Sequence, residues 1–165
     1  MEASLFYTLA SHRMKTEMTR LTEFTQALDR DPAKKKQEIA AYKCAKYREA
    51  GIANIYVMFY NSYRLRRSNE ETCYLISYAY EVFSKNSKAM ELYSTASPAR
   101  RPDVGLYLGI LEFARALMEE KEKKLPLAND WERVELSTYL EGHRFAVDAL
   151  RDAWKESGGE NYDCD

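Results

Sequence analysis

The sequence predicts an all-α protein, a single irregular helical bundle of about five or six helices. Three observations carry that prediction. Apolar residues recur at helical spacing through nearly the whole chain, and no stretch alternates with period two. Six Gly and four Pro in 165 residues are too few for a loop-rich or all-β chain. Helix-capping residues stand where the apolar periods stop and start, as at Asp31-Pro32 and Asn129-Asp130.

The stretch Ala50–Arg67, AGIANIYVMFYNSYRLRR, is the centre of this reading. Ile52, Ile55, Phe59 and Tyr63 form one apolar stripe, and Tyr56, Tyr60 and Tyr63 a second. A helix apolar nearly all round is buried or in a membrane. A spanning helix needs about 20 apolar residues, and this run stops short of that. It therefore reads as a core helix whose last turn emerges carrying Arg64, Arg66 and Arg67.

In chain order, residues 3–29 predict the first helix, with Leu5, Leu9, Met14, Met18, Leu21 and Leu28 on its apolar stripe. Asp31 is a good N-cap and Pro32 suits the first helical position of the next helix. That helix opens with Lys34, Lys35 and Lys36 and is expected to run on through Gly51. A glycine inside a helix costs about 1 kcal/mol against alanine and is kept where another helix passes close; the alternative is that Gly51 ends one helix and another begins. Ser68-Asn69-Glu70-Glu71 is a capping box that opens a helix over about 69–85. A short helix ending near Thr95 follows the break at Lys85-Asn86-Ser87. The loop Ser94–Asp103 holds two prolines with Arg100 and Arg101, and Asp103 is expected to cap a helix over about 104–124. The last helix, about 130–156, places Trp131, Val134, Thr138, Phe145, Ala149 and Ala153 beside Leu136, Leu140, Val147, Leu150 and Trp154. Its wide apolar face predicts a core partner. Gly158-Gly159 stops it, so residues 1–157 read as one helical domain and 158–165 as a disordered acidic tail.

No motif in the chain names a reaction. The two histidines, His12 and His143, lie in neither H-E-x-x-H nor E-x-x-H spacing, and no Walker loop, G-x-S-x-G or G-x-G-x-x-G occurs. Cys44, Cys73 and Cys164 have no zinc-like spacing. No catalytic residue, metal ligand or cofactor site is assigned, and an enzyme is the least favoured class. The N-terminus lacks the basic region of a signal peptide, and the cysteines are odd in number, so a cytoplasmic or otherwise intracellular protein is expected.

Charge is the informative asymmetry. Residues 30–67 hold ten Lys/Arg against three acidic residues, a net of +7, while residues 130–165 hold four against ten, a net of −6. The two segments can cancel within one molecule or meet between molecules as a homo-oligomer. Alternatively, the basic one can bind nucleic acid. An overall charge of −1 speaks against a dedicated nucleic-acid binder. The thirteen tyrosines suit half-buried helix contacts and interfaces.

The leading expectation is a non-enzymatic protein-binding helical module: an adaptor, an inhibitor or a small subunit of a larger assembly. A viral or phage accessory protein that occludes a partner has this composition. The alternative is a nucleic-acid-binding helical protein, or a small subunit of a nucleoprotein complex, using a basic helix end. The candidate binding residues for either are Tyr60, Tyr63, Arg64, Arg66, Arg67, Lys34, Lys35, Lys36, Arg100 and Arg101.

Overall fold

A computed structural model describes residues 4–64 and 81–159. The capping box at Ser68, the arginines Arg66 and Arg67, most of the helix expected over 69–85 and the acidic tail beyond Gly159 lie outside the described residues. The architecture is an all-α bundle, with no strand among the described residues. Its helices are α1 (Leu5–Asp29), α2 (Pro32–Gln37), α3 (Ile39–Arg64), α4 (Ser87–Thr95), α5 (Arg101–Lys124) and α6 (Asp130–Glu156). Residues 81–85 are also helical, and a 3₁₀ turn, Leu125–Leu127, joins α5 to α6.

Local chemistry sets the ends. The Ser4 side chain accepts from the Tyr7 N–H and starts α1, Asp31 accepts from Lys34 N–H at α2, and Asn129 accepts from Glu132 N–H at α6. Gly158 adopts φ +86°, the left-handed conformation that glycine tolerates, and ends α6. Two boundaries differ from expectation. The helix that begins at Pro32 does not run unbroken into the centre, because the chain turns at Glu38 (φ −108°, ψ 28°) before α3 begins. Helix α5 starts at Arg101 rather than after Asp103, with Pro102 in its first turn and no side-chain cap. Asp103 instead lies buried in the first turn, where a carboxylate meets the positive end of the helix dipole.

Helices α3 and α6 are the central pair, and they run parallel. Cys44 meets Thr138, Tyr47 meets Tyr139, and Gly51 meets Gly142 in ascending order along both. At that last point the backbones touch. A Cβ on Gly51 would stand 3.1 Å from the Gly142 Cα and closer still to the Tyr139 carbonyl, and one on Gly142 would stand 3.0 Å from the Gly51 Cα. The expected close passage at Gly51 is therefore what the fold contains, and α3 is continuous through it. Helix α1 lies antiparallel on this pair, with Tyr7 against Phe59 and Thr22 bonded to Glu49. Helix α5 runs antiparallel to α6, with Tyr107 against Trp154 and Arg144 near Glu122.

The helices close on an aromatic cluster at one end. Phe6 meets Phe59, Tyr107 and Trp154 edge-on at 5.6, 5.6 and 5.2 Å, and Tyr107 stacks flat on Trp154 at 4.5 Å. All four rings are buried. Each such ring contributes about 1.5–3 kcal/mol by leaving water, with edge-to-face pairing adding to that.

Some expected core positions are not core. In α1 the buried stripe is Phe6, Ala10, Met14 and Leu21, and Leu5 faces solvent. In α3 only the Ile52–Ile55–Phe59 face is buried, while Val57 is exposed and Tyr56 and Tyr60 are half-buried. In α6 Trp131 and Val134 are half exposed, at 50% and 49%.

Candidate functional site

The candidate residues named from sequence divide between the two ends of the bundle. Helix α3 has 26 residues and spans about 40 Å. Lys34, Lys35 and Lys36 precede its start, and Tyr60, Tyr63 and Arg64 form its last turn. The two groups cannot touch one ligand of ordinary size.

At the aromatic end, several of these residues are already occupied. Tyr63 stacks on Tyr7 at 3.7 Å, and its hydroxyl accepts a hydrogen bond from the Ser4 N–H at 3.0 Å. It holds α1 on α3 and presents no open face on that side for a base. Tyr60 is half-buried and lies 6.0 Å from Tyr56, with the Arg64 guanidinium 5.7 Å from its ring. Arg100 lies over the Trp154 ring at 4.5 Å and reaches the Ser157 hydroxyl at 3.4 Å, so it covers the aromatic cluster. Arg101 is exposed and donates to the Ser94 carbonyl at 3.3 Å. Arg66 and Arg67 lie outside the described residues.

At the opposite end, Lys34 and Lys36 are exposed and Lys35 is bound to Asp29 at 2.9 Å. This end carries what sequence reasoning missed. Residues 36–41, from the end of α2 into the first turn of α3, and residues 129–134, the N-cap and opening turn of α6, are exposed without interruption. They hold Ile39, Trp131 and Val134, and Leu127 projects from the preceding 3₁₀ turn at 88% exposure. Lys43 extends its ammonium over the Trp131 ring at 4.3 Å and joins the two helix starts; Ile39 stands one turn before Lys43 on α3, and Val134 nearly one turn after Trp131 on α6. Leu5, Phe24, Val57 and Met90 are exposed too. The available signal was Asn129: an N-cap two residues before Trp131 puts that ring in the first turn of a helix, where half of it stays exposed.

The interior polar groups are mostly committed to holding helices. Arg48 sits where three helices meet, 3.5 Å from Glu17 of α1, 3.7 Å from Glu141 of α6 and over the Phe145 ring. It is one place where the basic and acidic segments meet inside a single chain. Arg20 and then Arg48 hold the Glu17 carboxyl below its ordinary range. The groove of about 320 Å³ between α5 and α6 is lined by Arg115, Arg144 and Arg151 interleaved with acids. Arg115 pairs with Glu112 and Glu119. Among the described residues no three His, Cys, Asp or Glu side chains converge as a metal site requires. No helix among them is long and apolar enough to cross a membrane.

His143 is fully buried beside the glycine crossing. Its Nδ1 lies 2.7 Å from the Gly51 carbonyl, so that nitrogen carries the proton and donates, while Nε2 has no hydrogen-bond partner. Burial pushes its pKa below the usual histidine range, Lys121 adds to that, and the Gly51 bond opposes it. The sign of the consequence is fixed. In the unfolded chain His143 takes up a proton near pH 6.5, whereas the folded protein resists it. Its stabilising contribution is therefore full above about pH 6.5 and falls as pH drops towards the lower folded value. Denaturant midpoints at pH 7.5 and 5.5 are expected to fall for the native chain and to fall less for His143→Gln. Equal losses would place the titration elsewhere. The Glu17 contribution is lost only at more acid pH, below the ordinary carboxylate range of about 4.3, and does not enter this window.

Comparison with protein-family models, with curated proteins and with solved structures finds no match to this chain.

Proposed function

We propose that the chain is a non-enzymatic protein-binding helical module, serving as an adaptor, an inhibitor or a small subunit of a larger assembly. The observation that supports this reading is the uncovered end of the bundle. Ile39, Trp131 and Val134 are exposed at the starts of α3 and α6, and Leu127 in the turn just before α6. Large apolar side chains left exposed at the adjoining starts of two helices mark a contact surface. Trp is also the residue type most often responsible for binding energy at such surfaces. The flanking Lys34, Lys36, Lys43 and Lys46 make a polar rim.

The nucleic-acid reading has less behind it. Its aromatic candidate Tyr63 is bound internally, and its basic residues fall at opposite ends of the bundle. The two readings separate in one titration of labelled duplex and single-stranded DNA and RNA, with the native chain and an Arg64/Arg66/Arg67→Glu variant. Weak binding without sequence preference is expected, with a protein and no excess 260 nm absorbance co-purifying. Sub-micromolar nucleic-acid binding at physiological salt, abolished in the folded triple variant and steep in salt, would replace the proposal with the alternative.

A further inference from the structure

We infer that the uncovered end of the bundle is self-complementary and that its occupant is a second copy of this chain. The inference rests on the reading of this end as a docking surface and specifies what docks. The two helix ends that flank the apolar patch carry opposite charge. On the α3 side stand Lys34, Lys36, Lys43 and Lys46 against Glu38, and on the α6 side stand Asp130, Glu132 and Glu135 against Arg133. Lys34, Lys36, Lys46, Asp130 and Glu132 are exposed. The seam between them is the apolar line of Ile39, Trp131 and Val134, with Lys43 over the indole.

A two-fold contact places the same patch on both copies, so residue i of one meets residue j of the other, and j meets i. With the axis crossing the seam, the basic α3 end of one copy lies on the acidic α6 end of its mate, and the reverse contact forms at the same time. Apolar seam meets apolar seam in between. A surface of one charge would repel its own copy, whereas this one carries both. The sequence-level dipole, +7 in residues 30–67 and −6 in residues 130–165, is thereby used twice: within the chain at Arg48 and between chains at this end.

The experiment is sedimentation equilibrium of the full chain over a wide concentration range. The expected result is a reversible shift from 19.2 kDa to twice that mass. Trp131→Glu returns the monomer mass with unchanged helicity. Lys36→Glu/Lys46→Glu and Asp130→Lys/Glu132→Lys are each expected to be monomeric alone, because each makes both ends alike in charge. Mixed in equal amounts they pair again, since each supplies the charge the other has lost. High salt weakens the native dimer. A chain that stays at 19.2 kDa at the highest concentration overturns the inference, as does a dimer that Trp131→Glu leaves intact or swapped variants that do not pair on mixing. If the monomeric chain still captures a different protein through Trp131, the docking surface stands and only its occupant is wrong. If Trp131→Glu changes neither self-association nor capture, the docking surface itself is refuted.

Discussion

Trp154→Ala lowers the unfolding free energy by about 3–5 kcal/mol. The indole is fully buried and is held by side chains of α1 and α5. Phe6 of α1 packs on it edge-on, Tyr107 of α5 stacks on it, and Arg100 covers it from outside. Removing it leaves a cavity that rigid helices cannot close, and uncouples α1 and α5 from α6 together. Typical domains are stable by about 5–15 kcal/mol, so the variant stands at or beyond the edge of folding. Urea denaturation followed by circular dichroism measures it. A loss below about 1 kcal/mol would mean that the aromatic end is not packed as described.

Gly142→Ala is the second large effect, and its sign is diagnostic. Alanine is the better helix former by about 1 kcal/mol, so on propensity alone the substitution stabilises α6. The crossing forbids it. The added methyl would drive into the Arg48 carbonyl, with the Gly51 Cα and the Ile52 nitrogen both at 3.0 Å. These are backbone atoms of a long helix and cannot swing aside. The central pair must separate, which loosens Ile52, Ile55 and the His143–Gly51 bond at once. A net loss of about 1–3 kcal/mol or more is expected from such overpacking. Gly51→Ala repeats the effect from the other side, against the Tyr139 carbonyl. A raised melting temperature for either variant would show that α3 and α6 do not touch there.

Much of this fold was legible in the sequence because it was written in local chemistry. Ser, Asp and Asn caps mark the starts of α1, α2, α4 and α6, and Asp31-Pro32 and Asn129 are read without reference to anything distant. The mid-helix cost of Gly51 was enough to predict a close neighbour, though not that Gly142 would be that neighbour. The break at Glu38 was missed because the apolar period carries across it, and period records the face of a helix, not its continuity. The same limit hid the candidate site. Trp131 and Val134 keep the period of the buried face of α6, yet they lie in its opening turns, where half of each side chain stays exposed. Depth along a helix axis is a tertiary property. The role of Tyr63 was hidden for a similar reason: its stacking partner Tyr7 and its hydrogen-bond donor Ser4 are more than fifty residues away.

If the protein binds through the end of the bundle that carries Trp131, that indole reports the contact. The chain has two tryptophans, one buried and one half exposed, and Trp154→Phe leaves Trp131 as the sole indole reporter. Acrylamide quenching of that variant is measured free and dilute, then concentrated, then with any protein that co-purifies. Ready quenching in the free chain and protection with a blue-shifted emission in the assembled state is the result the account predicts. An indole that stays equally open to quencher in every complex the protein forms would contradict it.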